Sequence, residues 1–317
     1  MSNKLIFLAA VLFSPHLLAQ VIVGGPLAPD NLEARFTAPP PISTLSGLQA
    51  HLGHVGDLTF RNATLVLPDS PSGPRVYVVA ARNLRFANSR IITNGNKLEI
   101  FAEEIDADSA SSIMSFTTRN ALPPSSPLPE TRDGPSGIAG RNAGDVTIHV
   151  IQDFRDKLTL ELSGQDGQPG TSGQRGSTGS RGATGRSGKC GTAGVGCRSG
   201  PGDGGNGGPG GTGGRGGNGG AGGNGGNIVI VFFNKDPSET NLPVYSNDGG
   251  RPGAAGQGGA GGAGGPGGDK GNRGPCCRRN AAHNGAQGPN GSAGPSGNHG
   301  THGAKGRFVS RRQDIPV

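Results

Sequence analysis

From residue 58 onward the chain alternates apolar and polar positions with a period of two, the signature of strands that bury one face. Leu58-Thr59-Phe60-Arg61-Asn62-Ala63-Thr64-Leu65-Val66 and Leu84-Arg85-Phe86-Ala87-Asn88-Ser89-Arg90-Ile91-Ile92 follow one template at an offset of 26 residues. Alternation that repeats with an Asn in the equivalent place is what stacked rungs of a parallel β-solenoid present, each rung burying its apolar face on the next. Further strands are expected at 97–102, 113–117, 146–150 and 158–162, giving a body over 46–163. An antiparallel sandwich built from similar strands is the competing arrangement. Residues 20–45 read as an extended leader rich in proline. The stretch from Thr118 to Gly144, with Pro123, Pro124, Pro127 and Pro129, reads as an excursion from the body.

At Gly164 the period changes from two to three. Glycine holds every third position from 164 to 194, resumes in a new phase from 202 to 226, and continues from 250 to 274 and from 285 to 306. The outer blocks are G-X-Y; the central two are largely G-G-X. Three residues per turn is the repeat of polyproline II, which has no internal hydrogen bonds and persists only where its backbone pairs with neighbours that glycine lets approach. One glycine face implies one close neighbour and two faces imply two, so the G-G-X blocks are expected inside a bundle and the G-X-Y blocks outside. The strand 158–162 runs out into the first block and Ile228 to Phe233 leads back from the second, while Val244 to Ser246 and Arg307 to Val309 flank the others. The fold expected is therefore mainly β: a short parallel β-solenoid-like body with two inserted glycine-rich hairpins, at 164–226 and 249–306, forming a polyproline II bundle. Returning strands lie at 227–248 and a C-terminal strand and tail at 307–317. A collagen-like triple helix or a disordered glycine-rich region is the alternative. The first block holds a single proline, Pro169, which is poor in proline for collagen.

Composition narrows this picture. With 63 glycines, 25 prolines and only 31% hydrophobic residues in 317, the chain has little material for a conventional core. Residues 1–19, with Lys4 before an apolar run and Ala19 before Gln20, read as a signal peptide, so a secreted or cell-surface protein without a transmembrane segment is expected. Export permits disulfides among Cys190, Cys197, Cys276 and Cys277. These cysteines fall at the breaks between blocks, where hairpin tips would lie. If the hairpins are of similar length, Cys276 and Cys277 would both pair with the first hairpin; a local Cys190–Cys197 bridge is the alternative.

The net charge is +7. Arg186, Lys189, Arg198, Arg273, Arg278 and Arg279 cluster around the two breaks and would suit an anionic glycan, a lipopolysaccharide or an acidic protein surface. Nucleic acid is not expected, because the one Arg-Gly-Gly stretch, Gly213 to Gly217, has no interleaved aromatics. No metal or cofactor is expected: His299 and His302 stand one polyproline turn apart, about 9 Å, too far to share an ion readily. Glu103, Glu104, Asp106 and Asp108 are the one acidic group that an enzyme could use, and they fit a solvated strand edge.

The G-G-X run Gly204 to Asn227 resembles the polyproline II bundles of arthropod glycine-rich antifreeze proteins and of phage tail-tip adhesins, and the G-X-Y run is similar to bacterial collagen-like proteins. The adhesin resemblance implies receptor-binding loops at the tips, here Val195 to Arg198 and Pro275 to Asn284. Ice binding would need a row of Thr on one face, but Thr171, Thr178, Thr184 and Thr192 do not hold one triplet position. The sequence thus points to a structural or adhesive protein that is not an enzyme, with a disulfide-stapled stalk whose tip binds a surface. A secreted solenoid enzyme acting on polysaccharide, with glycine-rich spacers, is the second reading.

Overall fold

The computed structural model describes residues 44–69, 73–119, 132–192, 196–239, 241–277 and 281–316. The signal-peptide and most of the leader assignments, the prolines from 123 to 129, and Arg278 and Arg279 lie outside these residues. The body is a parallel β-solenoid with two sheets. One sheet is ordered β1 (Leu58–Arg61), β3 (Val76–Ala87), β5 (Lys97–Ala107), β7 (Val146–Val150), β12 (Ile228–Phe233) and β14 (Phe308–Gln313), with β8 (Phe154–Asp156) pairing the far end of β5. The second is ordered β2 (Thr64–Val66), β4 (Arg90–Ile92), β6 (Ser112–Met114), β9 (Thr159–Glu161) and β13 (Val244–Ser246). The pairs within both sheets are parallel.

The 26-residue template sets the register of the first two rungs. Leu58 aligns with Leu84, Phe60 with Phe86 and Leu65 with Ile91. The two Phe rings stack at 5.1 Å. The shared Asn makes the corner: Asn62 and Asn88 adopt φ of 48° and 49°, a left-handed conformation that Asn tolerates better than most residues. The Asn88 side-chain amide donates to Asn62 Oδ1 at 2.9 Å, so the corners also bond along the stack. Between the sheets lies a buried apolar core that includes Leu84, Ile100, Ile105, Ile148, Leu160 and Ile230.

Three elements depart from the expectations. The start of the stretch assigned to the β body from residue 46 is a helix, α1 (Leu45–Val55), capped by Thr44, whose hydroxyl accepts from Gly47 N at 3.0 Å, and ended at Gly56 with φ 77°. Its Leu48 and Leu52 bury against Val78, Ala80, Phe101, Val231 and Phe233 on the outer face of the first sheet. That cover explains why β3 opens with the continuous run Val76 to Ala81 rather than an alternation: both faces of this strand are buried. His149 is held on the same outer face, stacked 4.4 Å from Phe101 and 5.9 Å from Phe233. Burial, with help from the positive charge of Arg311, pushes its pKa down to about 4. Third, β5 is a central strand rather than an edge, so its acidic residues, while partly exposed, have neighbouring rungs on both sides.

Five extended segments project from this body. Residues 132–145 (segment I), 163–188 (II), 202–227 (III), 247–274 (IV) and 283–306 (V) contain neither helix nor sheet, yet their backbones bond to one another at every third residue. Glycine N–H groups of II donate to IV, from Gly164 to Asp248 O (2.9 Å) through Gly188 to Asn272 O (2.9 Å). Segment III donates to II with one glycine of each triplet and to V with the other, as in Gly220 to Gln168 O and Gly219 to Asn298 O, both 2.8 Å. Segment IV donates to III, and V to IV.

The fifth member is the unexpected one. Segment I belongs to the stretch read as an excursion, yet its Gly134, Gly137 and Gly140 donate to III at 2.8 Å, and its carbonyls accept from II. The sequence signal was there, in three glycines at triplet spacing, but the neighbouring prolines masked it.

The bundle is a two-row continuation of the solenoid. Segments I, III and V lead into β7, β12 and β14, neighbours in the first sheet, and all run toward the body. Segments II and IV leave from β9 and β13, neighbours in the second sheet, and run away from it. Segment III therefore touches I, II, IV and V, which is why it needs two glycines per triplet. A Cβ on Gly219 would lie 2.0 Å from Gly253 O, and one on Gly220 would lie 2.1 Å from Ile138 O. The expected order of outer G-X-Y and inner G-G-X blocks is refined by this arrangement. Segment II, although G-X-Y, has three partners near the body, where segment I covers it and buries Gln165 and Gln168.

Candidate functional site

The bundle ends in a stapled tip. Segment II passes into β10 (Lys189–Cys190), which pairs antiparallel with β11 (Cys197–Ser199) through a turn at Gly196, φ 74°. Segment IV ends beside them in a turn closed by Cys277 N donating to Gly274 O at 2.9 Å. Two disulfides join the two sides, Cys190 to Cys276 and Cys197 to Cys277, with Cα separations of 5.6 and 4.8 Å. This is one of the two joined-tip connectivities that the sequence left open. Cys277 is 1% exposed, so the second bridge is buried on the side of segment IV while Cys197 is exposed.

Positive charge gathers here. Arg186, Lys189, Arg198 and Arg273 are all exposed, and none forms an ion pair among the described residues. Nearby acids are engaged elsewhere: Asp269 with Arg181 at 2.6 Å, and Asp203 with the His283 backbone N–H at 2.7 Å. Arg278 and Arg279 follow Cys277 directly in the chain and lie outside the described residues.

The acidic group on β5 is dispersed into structural contacts. Glu103 accepts from Gln152 Nε2 at 2.7 Å, Glu104 pairs with Arg155, and Asp106 sits 3.8 Å from Arg85. Asp108 accepts from the Ser111 hydroxyl at 2.6 Å and the Asn88 N–H at 2.7 Å, contacts that hold its carboxyl below the usual range. Each carboxylate thus serves the joint between rungs. A cleft of about 270 Å³ lies where the second sheet meets the bundle, lined by Phe116, Thr118, Arg119, Glu161, Ser163 and Ser246. Among its described lining residues the carboxylate is Glu161. Among the described residues no group of three or more His, Cys, Asp or Glu is placed to hold a metal ion. No helix among them is long and apolar enough to cross a membrane.

One set of functional contacts was not anticipated from the sequence. Asn and Asp side chains in the bundle accept backbone N–H groups from the next segment of the same row: Asp133 from Arg215 (2.7 Å), Asn142 from Asn224 (2.7 Å), Asn206 from Ala286 (3.0 Å) and Asn218 from Asn298 (2.8 Å). Glycine donors and main-chain carbonyls bond one neighbour; Asx side chains supply the bond that a third residue of the triplet cannot make alone. The recurrence of Asn at the X position of G-G-X was the available signal.

No protein-family model and no curated protein matches the sequence. Among solved structures, a match is found to the nine-helix polyproline type II bundle of a springtail antifreeze protein from Granisotoma rainieri. It is 23% identical, covers 57% of this chain and 96% of that one, and has a TM-score of 0.11.

Proposed function

We infer that this is an exported structural or adhesive protein, in which a β-solenoid base carries a stapled glycine-rich stalk that presents a basic tip to an anionic surface. The observation that supports this most strongly is the pair of disulfides at the end of the bundle farthest from the solenoid. Cross-links there hold II and IV together where the solenoid cannot, and bring Arg186, Lys189, Arg198 and Arg273 into one group. Taken as polyproline II helices, the triplet segments would carry the tip about 75 Å from the body at roughly 3.1 Å per residue over Gly164 to Gly188. Disulfides of this kind fit an oxidising compartment, in keeping with the signal peptide read from residues 1–19.

Anionic glycan, such as the acidic saccharide of a lipopolysaccharide, is the partner chemistry that the uncompensated guanidinium groups suit best, since arginine can engage carboxylate or phosphate through paired hydrogen bonds. The test is binding of the oxidised protein to immobilised anionic polysaccharide and lipopolysaccharide, compared with a variant carrying Arg198→Ser, Arg273→Ser, Arg278→Ser and Arg279→Ser. A salt-sensitive interaction that the variant loses supports a binding tip. Binding retained by the variant, or absent from both proteins, rejects it.

A further inference from the structure

Segments III and V belong to the same row and keep a constant offset of 80 residues, from Asp203 and His283 near the tip to Asn227 and Arg307 at the base. That offset carries Gly205, Gly208 and the rest of their series onto Gly285, Gly288 and their successors. The other glycine series of III, every third residue from Gly204 to Gly225, is carried onto a series of V, from Asn284 to Lys305, that contains no glycine. On III a Cβ in this series would strike carbonyl oxygens of IV, at 1.9 Å from Gly207 and 2.0 Å from Gly219. On V a side chain therefore stands where the carbonyls of a further second-row segment would lie.

These side chains turn back onto IV. The Gly264 N–H donates to Asn290 Oδ1 and the Lys270 N–H to Asn284 Oδ1, both at 2.9 Å. Gln287 Nε2 donates to the Gly264 carbonyl at 3.3 Å, and the Ser296 hydroxyl to Gln257 Oε1 at 3.4 Å. Within the second row the offset is 85, as between Asp166 and Arg251, which makes Gly179 and Gly185 of II the counterparts of Gly264 and Lys270. Those two glycines donate to carbonyls of IV, the next member of the row. The matching donors of IV thus aim at the next place along, and side-chain amides of V take them. Pro252 removes another, since its counterpart Gly167 donates to Arg251 O.

We propose that this series on V closes the bundle against a second copy of the chain. A copy related by a two-fold axis perpendicular to the segments would bring its own V beside IV, antiparallel to the first V and so in the direction that II and IV run. Its carbonyls could accept from Gly264 and Lys270 and extend the row, much as an uncovered sheet edge recruits another strand. The side chains exclude it in two ways. Their Cβ atoms occupy the space that close approach requires, and Asn284 and Asn290 occupy the donors. Lateral growth stops at V.

Two measurements on the oxidised full-length protein test this. In amide exchange followed by NMR, Asn290→Ala should speed exchange at Gly264 about tenfold, and Asn284→Ala should do the same at Lys270, with amides between II and III unchanged. The second measurement gives V the residues of III, through Asn284→Gly, Gln287→Gly, Asn290→Gly, Ala293→Gly and Ser296→Gly together, with disulfide pairing and circular dichroism checked first. Sedimentation velocity at about 0.1 mM should find the wild type monomeric and this variant dimeric. If the combined variant does not fold, Gln287→Gly with Asn290→Gly carries the same comparison. Unchanged exchange at both amides, a folded glycine variant that stays monomeric, or a wild-type dimer that buries the Asn284 to Lys305 face would each overturn the proposal.

Discussion

Removing the two disulfides separately and together measures whether the hairpins act as one closed unit. The bridges span 86 and 80 residues, so either one alone, in the chain-entropy description, restricts the unfolded chain by about 4.5 kcal/mol at 25 °C. They do not add. Once Cys190 is joined to Cys276, the second bridge closes a ring of only roughly eight residues, through the β10–β11 turn and the Cys276–Cys277 peptide, which contributes about 2.5 kcal/mol. Converting either pair to serine should therefore cost about 2.5 kcal/mol, because the surviving bridge still closes the long loop. Converting all four should cost about 7 kcal/mol.

Denaturant unfolding of the four proteins, followed by circular dichroism under non-reducing conditions, gives the three differences directly. The expected result is a double-mutant cycle in which the second removal costs about 4.5 kcal/mol, well above the first. Equal, additive losses would show that the bridges close independent loops and that the tip is not a single joint. A loss in the quadruple variant no larger than in either pair variant would show that the unfolded chain keeps the hairpins together without them.

Three further outcomes follow from the packing. Gly220→Ala places a methyl group 2.1 Å from a backbone carbonyl and should cost at least about 3 kcal/mol, while Gly208→Ala, facing a rotatable hydroxyl, should cost under about 1 kcal/mol; thermal melting of the pair checks the difference. His149 has a folded pKa depressed to about 4 from the ordinary 6.5, so its contribution is intact above pH 7 and is lost as the unfolded chain takes up a proton between pH 6.5 and 4. Discounted for the ring's incomplete burial, that loss is about 2 kcal/mol, and His149→Phe should flatten this part of the stability–pH curve measured by urea titration. Asn88→Ala removes a rung-to-rung hydrogen bond and puts at φ 49° a residue that tolerates the left-handed conformation less well than Asn, costing about 1–2 kcal/mol, whereas Asn88→Gly should cost less; the order of their denaturant midpoints is the check.

The solenoid was legible because its information is local and repeated. Leu58, Phe60, Asn62 and Leu65 recur 26 residues later, and the structure pairs the repeated apolar residues one to one. Helix α1 was not read, although Leu45, Leu48, Leu52 and Val55 have helical spacing, because its apolar face is matched only by residues distant in sequence, from Val78 to Ile315. Segment I was missed for a related reason. Three glycines establish a period only weakly, and what makes them a bundle member is the pair of carbonyl and N–H series on II and III. The tip cysteines were readable as a group, but the choice of Cys190–Cys276 over Cys190–Cys277 depends on the path of a turn that no spacing encodes.

The bundle order follows from the solenoid rather than from the glycine repeats alone. Triplet segments carry no sequence-specific address: any glycine face could pack on any other. The address is supplied at the base, where β7, β12 and β14 are neighbours in one sheet and β9 and β13 in the other, so that I, III and V and then II and IV start in adjacent positions. Register is carried outward unchanged. Asp145 and Asn227 are bonded across 82 residues at the base, and Asp133 and Arg215 are bonded across the same 82 residues farther out. Between III and V the separation is 80 at the base, Asn227 to Arg307, and still 80 near the tip, Asp203 to His283. A constant offset requires that each excursion be closed at the correct length, since a single inserted residue would put a Cβ where a carbonyl lies at 2 Å. The rungs fix one end of this register and the disulfides the other, so the two cysteine pairs and the solenoid strands do the same work at opposite ends of the bundle.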